Sequence, residues 1–234
     1  LPPGENPASV SDGGLAPVVG VFAQRPETGW ARYVASPTGS VCLIVGGAVA
    51  GQGESRDWKI QGHLIAGYFE HDARFDFNQP AATMVRQWGS NLAARAEVSI
   101  PVRSLKSQAA VAAGVMDNRM QQALNARNHP NLEYTLTSLT WEPSEEDQGK
   151  SWPFTARGRL RLHGVSKDWT WPGLLEPISP DRLRISVTQR LRMSDFNVSP
   201  PAVTLVGVPL QTEDAVTVYL TWTLMREIPT TAAR

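Results

Sequence analysis

One cysteine, Cys42, in 234 residues excludes an intrachain disulfide. No stretch approaches about 18 consecutive apolar residues, so no segment reads as a membrane-spanning helix. An excess of charge of one sign is also missing: 22 basic and 22 acidic side chains cancel. A dedicated nucleic-acid binder normally carries a strong basic surplus, so no nucleic-acid partner is expected. Signatures of catalysis are absent too. There is no G-x-S-x-G elbow. The glycine-rich "GGAVAGQGE" has no G-K-[ST] and does not lead into a helix, so it reads as a strand end and turn. The histidines His63, His71, His129 and His163 form no H-x-x-x-H or H-x-H pair, and Cys42 has no cysteine partner nearby. A metal site needs several converging ligands, so neither metal nor cofactor is expected.

Proline, glycine, alanine and serine dominate residues 1–29, "LPPGENPASVSDGGLAP" and onward. No helical or strand period runs through them, and they read as a flexible arm. The chain begins at Leu1, which fits an exported protein whose signal peptide has been removed. The body is expected over 30–228, with a tail at 229–234.

Period-two alternation governs the body. In 152–162, Phe154, Ala156, Gly158, Leu160 and Leu162 share one face, while Arg157, Arg159 and Arg161 share the other. Adjacent side chains of a strand point to opposite faces, so this is a half-buried strand with a wet arginine face. Solvation alone explains those arginines; recognition of an anionic head group or membrane surface is the functional alternative. Leu183, Ile185, Val187, Leu191 and Met193 repeat the pattern, as do Val216, Val218, Leu220, Trp222 and Leu224. So do Ala94, Ala96, Val98, Ile100 and Val102. Trp58, Ile60, Leu64, Ala66 and Tyr68 are expected to share a face in one further strand. Weaker strands fall at 40–49, 132–142 and 168–175, giving about eight. "VMDNRMQQALNAR", 115–127, instead has Met116, Met120, Ala123 and Leu124 at helical spacing, with Asp117 as a candidate N-cap. Asn128-His129-Pro130 is expected to end this single helical insertion.

The pattern predicts an all-β fold of about eight mostly antiparallel strands that close into a barrel or a sandwich, since closure removes exposed edges. A barrel of that size is either filled by side chains or holds one slender ligand. The inward series mixes Gly62, Ala66, Ala94, Ala96, Ala156 and Gly158 with long aliphatics and tryptophans, which permits a cavity.

Four blocks resemble a known family. "EVSIPVRSLKS" (97–107) is similar to the strand and S-L corner of the YceI-like family. "MDNRMQQALNARNHPNLEYTLTSL" (116–139) resembles its helix followed by a strand. "ARGRLRLHGVSKDWTWP" (156–172) resembles its G-x-L-x-[IL]-x-G-V-[ST]-K signature, and "LRMSDFNVSPP" (191–201) its D-F-x-[IV] corner. The blocks occur in family order and cover about 40–225. "SRDWKIQGHLIAGYFE" (55–70) looks like a divergent branch, and Met116–Met120 replaces the commoner R-D-x-H-L helix. The resemblance implies an extended, eight-stranded antiparallel β-barrel of lipocalin-like build, periplasmic or secreted, holding a polyisoprenoid, fatty acid or fatty amide in an interior tunnel, for transport or storage.

The tunnel wall is then expected to comprise Trp58, Ile60, Leu64, Tyr68, Val98 and Ile100, with Leu136, Phe154, Leu160 and Leu162. Val187, Leu191, Phe196, Leu220 and Trp222 complete it, and Met116, Met120 and Leu124 serve as a helical lid. The expected partner is an apolar small molecule, and self-association as a homodimer is left open. Two other readings were weighed. One is a structural barrel with a side-chain-filled interior; the other is an enzyme on the same scaffold, disfavoured because no catalytic set is present.

Overall fold

The computed structural model describes residues 29–50, 55–109, 113–143, 151–205 and 208–228. Apart from Gly29, the expected arm lies outside these residues, as does the tail at 229–234.

Strand β9 (Trp152–Leu162) shows most directly how sequence becomes structure. Its even-numbered residues are buried, whereas Arg157, Arg159 and Arg161 are exposed. On β9 the even face is the inside. The strand turns back at His163 (φ 53°) and Gly164 (φ 78°), with Leu162 and Val165 paired across the turn. Two successive positive φ values define a type I′ hairpin, whose twist matches that of its strands. A Cβ at Gly164 would also lie 2.6 Å from the His129 ring.

The remaining strands close a ring of antiparallel neighbours. In order these are β1 (Trp30–Ala35), β4 (Ala66–Asp72), β6 (Ala94–Pro101), β8 (Asn131–Trp141), β9, β10 (Val165–Ser179), β11 (Arg182–Arg192) and β13 (Val208–Arg226), which pairs back to β1. The pairing of β1 with β13 spans Tyr33↔Arg226, Val34↔Met225 and Ala35↔Leu224. Farther along β13, its free edge takes β2 (Val41–Ala50), then β3 (Ser55–Gly62), then β7 (Lys106–Ser107). Thus β1 and β2 are two halves of one broken wall strand, and β3 and β4 two halves of the next. A small hairpin, β12 (Ala202–Leu205) with β13, and a short β5 (Asn91–Leu92) on β8 complete the sheet.

Each break shifts the alternation by one residue. Cys42 and Ile44 face inward on β2, but Ala31 and Tyr33 are the buried apolar residues of β1. Likewise Trp58 and Ile60 give way to Phe69 on β4. Gly67 (φ 139°) sits at this second break, where a Cβ would come within 1.9 Å of the Glu97 carbonyl oxygen. Only glycine allows so close an approach of two backbones.

Among the described residues, two α-helices interrupt the strands rather than the single one expected. Helix α1 (Ala81–Trp88) buries Ala81 and Met84 beside the β1/β4 end. Helix α2 (Ala113–Ala123) stops earlier than the expected 127. Asn125 adopts φ 48°, its N–H reaches the Gln122 carbonyl at 3.0 Å, and the Ala126 N–H reaches Gln121 at 2.9 Å. That is a Schellman termination, in which a left-handed residue satisfies the last carbonyls. Asp117 is not an N-cap: it lies within the helix, and its carboxylate accepts the Ser107 backbone N–H at 2.6 Å and faces Lys106 Nζ at 3.4 Å.

Candidate apolar binding cavity

The inner faces of the strands enclose a cavity of about 220 Å³ whose wall is almost entirely carbon. One end of the barrel is plugged. Phe77, Trp141, Trp152 and Phe154 stack edge to face with centroids 5.0–5.9 Å apart, and the first three are 3 % exposed or less. Edge-to-face rings fill space densely and add to the burial of their large apolar area. The Trp152 Nε1–H donates to the Phe77 carbonyl at 3.2 Å, locking the loop before α1 onto the plug. His71 stacks among Tyr33, Phe69 and Phe77 in the same layer. Burial depresses its pKa to about 4.

Helix α2 covers the opposite end. Met116, Met120, Ala123 and Leu124 face the lumen, and exposed Arg119 also reaches its wall, so the cavity meets solvent here. The tether from Asp117 to Ser107 and Lys106 holds α2 in place. Trp58 stands at this mouth because Gly46 leaves room for its ring, a Cβ there falling 2.4 Å away, and its Nε1–H donates to the Gly47 carbonyl at 3.0 Å.

Most of the wall residues expected from sequence line the cavity: Trp58, Ile60, Val98, Ile100, Leu136, Phe154, Leu160, Leu162, Val187, Leu191, Leu220 and Trp222, with Met116, Met120 and Leu124 from the lid. Three do not. Leu64 is 62 % exposed in the break between β3 and β4. The shift at that break turns Tyr68 outward, where the Arg32 guanidinium lies 4.3 Å from its ring centroid, and brings Phe69 inward instead. Phe196 is fully buried one layer away, in the 3-10 corner at Met193–Phe196, 5.7 Å from the Trp169 ring. Met193 and Val198 line the lumen there.

Sequence reading missed Leu139, Trp141 and Trp171, besides Cys42 and Ile44 on β2. A bulge between Leu136 and Ser138 moves the inward face of β8 from even to odd positions, which hides Leu139 and Trp141 from a period-two search. Burial drives the Cys42 thiol up to about 12, so it stays protonated. Glu133 contributes to the wall but turns its carboxylate to Arg161 at 3.3 Å.

His63 and His163 meet nearby carbonyls, of Ser40 at 3.1 Å and Phe196 at 3.2 Å. Among the described residues no three His, Cys, Asp or Glu side chains cluster as a metal site. Among them, no helix is long and apolar enough to cross a membrane.

The sequence matches the YceI-like domain over residues 56–224. No curated protein matches it. Among solved structures, a polyisoprenoid binding domain from Saccharophagus degradans, implicated in plant cell wall breakdown, is similar with a TM-score of 0.55. It shares 11 % identity, the alignment covering 83 % of this chain and 98 % of that one. BcnA of Burkholderia cenocepacia is similar with a TM-score of 0.51 and 12 % identity, over 78 % of this chain and 95 % of its own.

Proposed function

This chain belongs to the YceI-like family, and from that premise we propose that its barrel takes up one elongated apolar molecule and shields it from water. A single observation carries the reading: the carbon-lined cavity of about 220 Å³ lies between an aromatic plug and a methionine-bearing helix. The side-chain-filled interior weighed from sequence does not fit that space. Each methylene moved into the lumen contributes about 0.8 kcal/mol before ordering costs. A chain of about ten carbons therefore contributes about 8 kcal/mol gross, the size of a micromolar binding free energy. A longer tail is needed to reach that affinity once the costs of ordering are subtracted. The Saccharophagus degradans neighbour, described as polyisoprenoid binding, favours an isoprenoid or comparable lipid tail.

The role is binding for transport or storage rather than turnover. Cys42 is the thiol on the described wall, its burial keeps it protonated, and no histidine among the described residues lines the cavity. We extend the reading to a periplasmic or secreted setting on the strength of family membership. Organic extraction of the purified protein followed by mass spectrometry tests the proposal. An elongated lipid is expected at near-stoichiometric yield. Replacing Leu136 with Arg at the wall should abolish its retention. Absence of lipid, together with no uptake of added long-chain probes, overturns the reading.

A further inference from the structure

The lumen is apolar but holds hydrogen-bond donors that nothing satisfies. Tyr134 Oη and the Nε1 atoms of Trp141, Trp171 and Trp222 are buried, belong to cavity-lining side chains, and have no partner among the described residues. A buried donor without an acceptor is costly, and native interiors rarely leave one so. Trp141 is boxed by the rings of the plug, and an aromatic face is a weak acceptor. A phenol has no such excuse, and buried tyrosines ordinarily find a partner.

The sequence makes room for this phenol. Tyr134 projects from β8 and Trp171 from β10, on either side of β9, and their rings meet edge to face at 6.0 Å. Between them the inward positions of β9 are Gly158 and Ala156, the two smallest on that face. A Cβ at Gly158 would lie 2.6 Å from Tyr134 Oη and Cζ. Gly158 therefore does more than widen the lumen: it leaves the space that the Tyr134 hydroxyl occupies beside the Trp171 ring.

We propose that Tyr134 and Trp171 form a donor site for a neutral acceptor, such as a carbonyl oxygen, carried by the apolar ligand. This rests on the binding reading above and narrows its ligand class. An ionised carboxylate is disfavoured at this depth, because the cationic side chain on the described wall is Arg119, on the lid. A bare hydrocarbon would fit but would leave both donors unpaired.

The test compares three probes delivered from cyclodextrin and followed by intrinsic tryptophan fluorescence: hexadecyl methyl ketone, octadecanoate and octadecane. The ketone is expected to bind about fivefold more tightly than octadecane, the gain of one neutral hydrogen bond. Tyr134→Phe should erase most of that gap between ketone and octadecane. The infrared carbonyl band of the bound ketone should sit below its position in alkane solvent and move back up in Tyr134→Phe. That band in the unmodified protein decides the question even if the variant folds poorly. Equal affinities for ketone and octadecane, an unshifted carbonyl band, or tightest binding of octadecanoate at pH 8 overturns the donor site and leaves the carrier reading standing. Failure of all three probes to bind overturns both.

Discussion

His71 lies 2 % exposed among Tyr33, Phe69 and Phe77, and its Nδ1–H donates to the Asp72 carbonyl at 2.9 Å. That bond leaves Nε2 bare and buried, without a partner among the described residues. Burial is the main cause of its pKa falling from 6.5 to about 4. The folded state thus binds this proton less readily than the unfolded state. Its contribution to stability is complete above about pH 6.5 and is lost as pH falls toward 4, in total about 3 kcal/mol. Urea midpoints are expected to drop between pH 7 and 4.5, and His71→Phe should flatten the drop. Parallel profiles for the two proteins would contradict this assignment. Single residues were legible in the sequence wherever alternation ran unbroken. Phe154, Leu160 and Leu162 face the lumen as their spacing requires, and Arg157, Arg159 and Arg161 face water. Leu64 and Tyr68 were misplaced because alternation has no memory of register across a break.

At the scale of elements, α2 is held to the barrel by few bonds. Its lumen face is apolar, and its described polar tether is Asp117 with Ser107 and Lys106. Asp117→Ala removes an acceptor from a backbone N–H at 2.6 Å. It should speed ligand release several-fold while shifting the melting temperature by only a few degrees. Stopped-flow displacement of a fluorescent fatty probe measures the first, and calorimetry the second. Unchanged release would mean that α2 is not the route. Asn118→Ala, exposed on the same helix, is the control expected to leave release unchanged. The sequence showed that a helix stood here but not its length, since the left-handed turn at Asn125 ends it before the proline does. Helix α1 escaped notice because eight residues offer too few turns for a periodic signal, and no side chain caps its start. The bulge of β8 left no sequence mark either, because it is fixed by pairing with β9.

For the molecule as a whole, the plug sets how far a tail can penetrate. Trp141 belongs both to the plug and to the cavity wall. Trp141→Ala should cost about 3–5 kcal/mol of stability. It should also raise the optimum chain length in a homologous series of ligands. An optimum that stays put would place the terminus of the tail elsewhere. The barrel fold and the family were readable from four short blocks in order. The plug was not, because Phe77 reaches Trp141 and Trp152 from a distant loop before α1, and no local pattern announces that contact.

That closure has a topological corollary. The first ring strand pairs with the last from Tyr33↔Arg226 to Ala35↔Leu224, so the two ends of the ring meet across one short ladder. Each ring strand, apart from that seam, pairs with its predecessor and successor along the chain. A circle of this kind has no privileged starting point. Bridging residues 30 and 226 with a short glycine–serine segment, and cutting instead in the turn between Ser179 and Arg182, should give a circular permutant with the same lumen. Its circular dichroism and lipid uptake should match those of the parent.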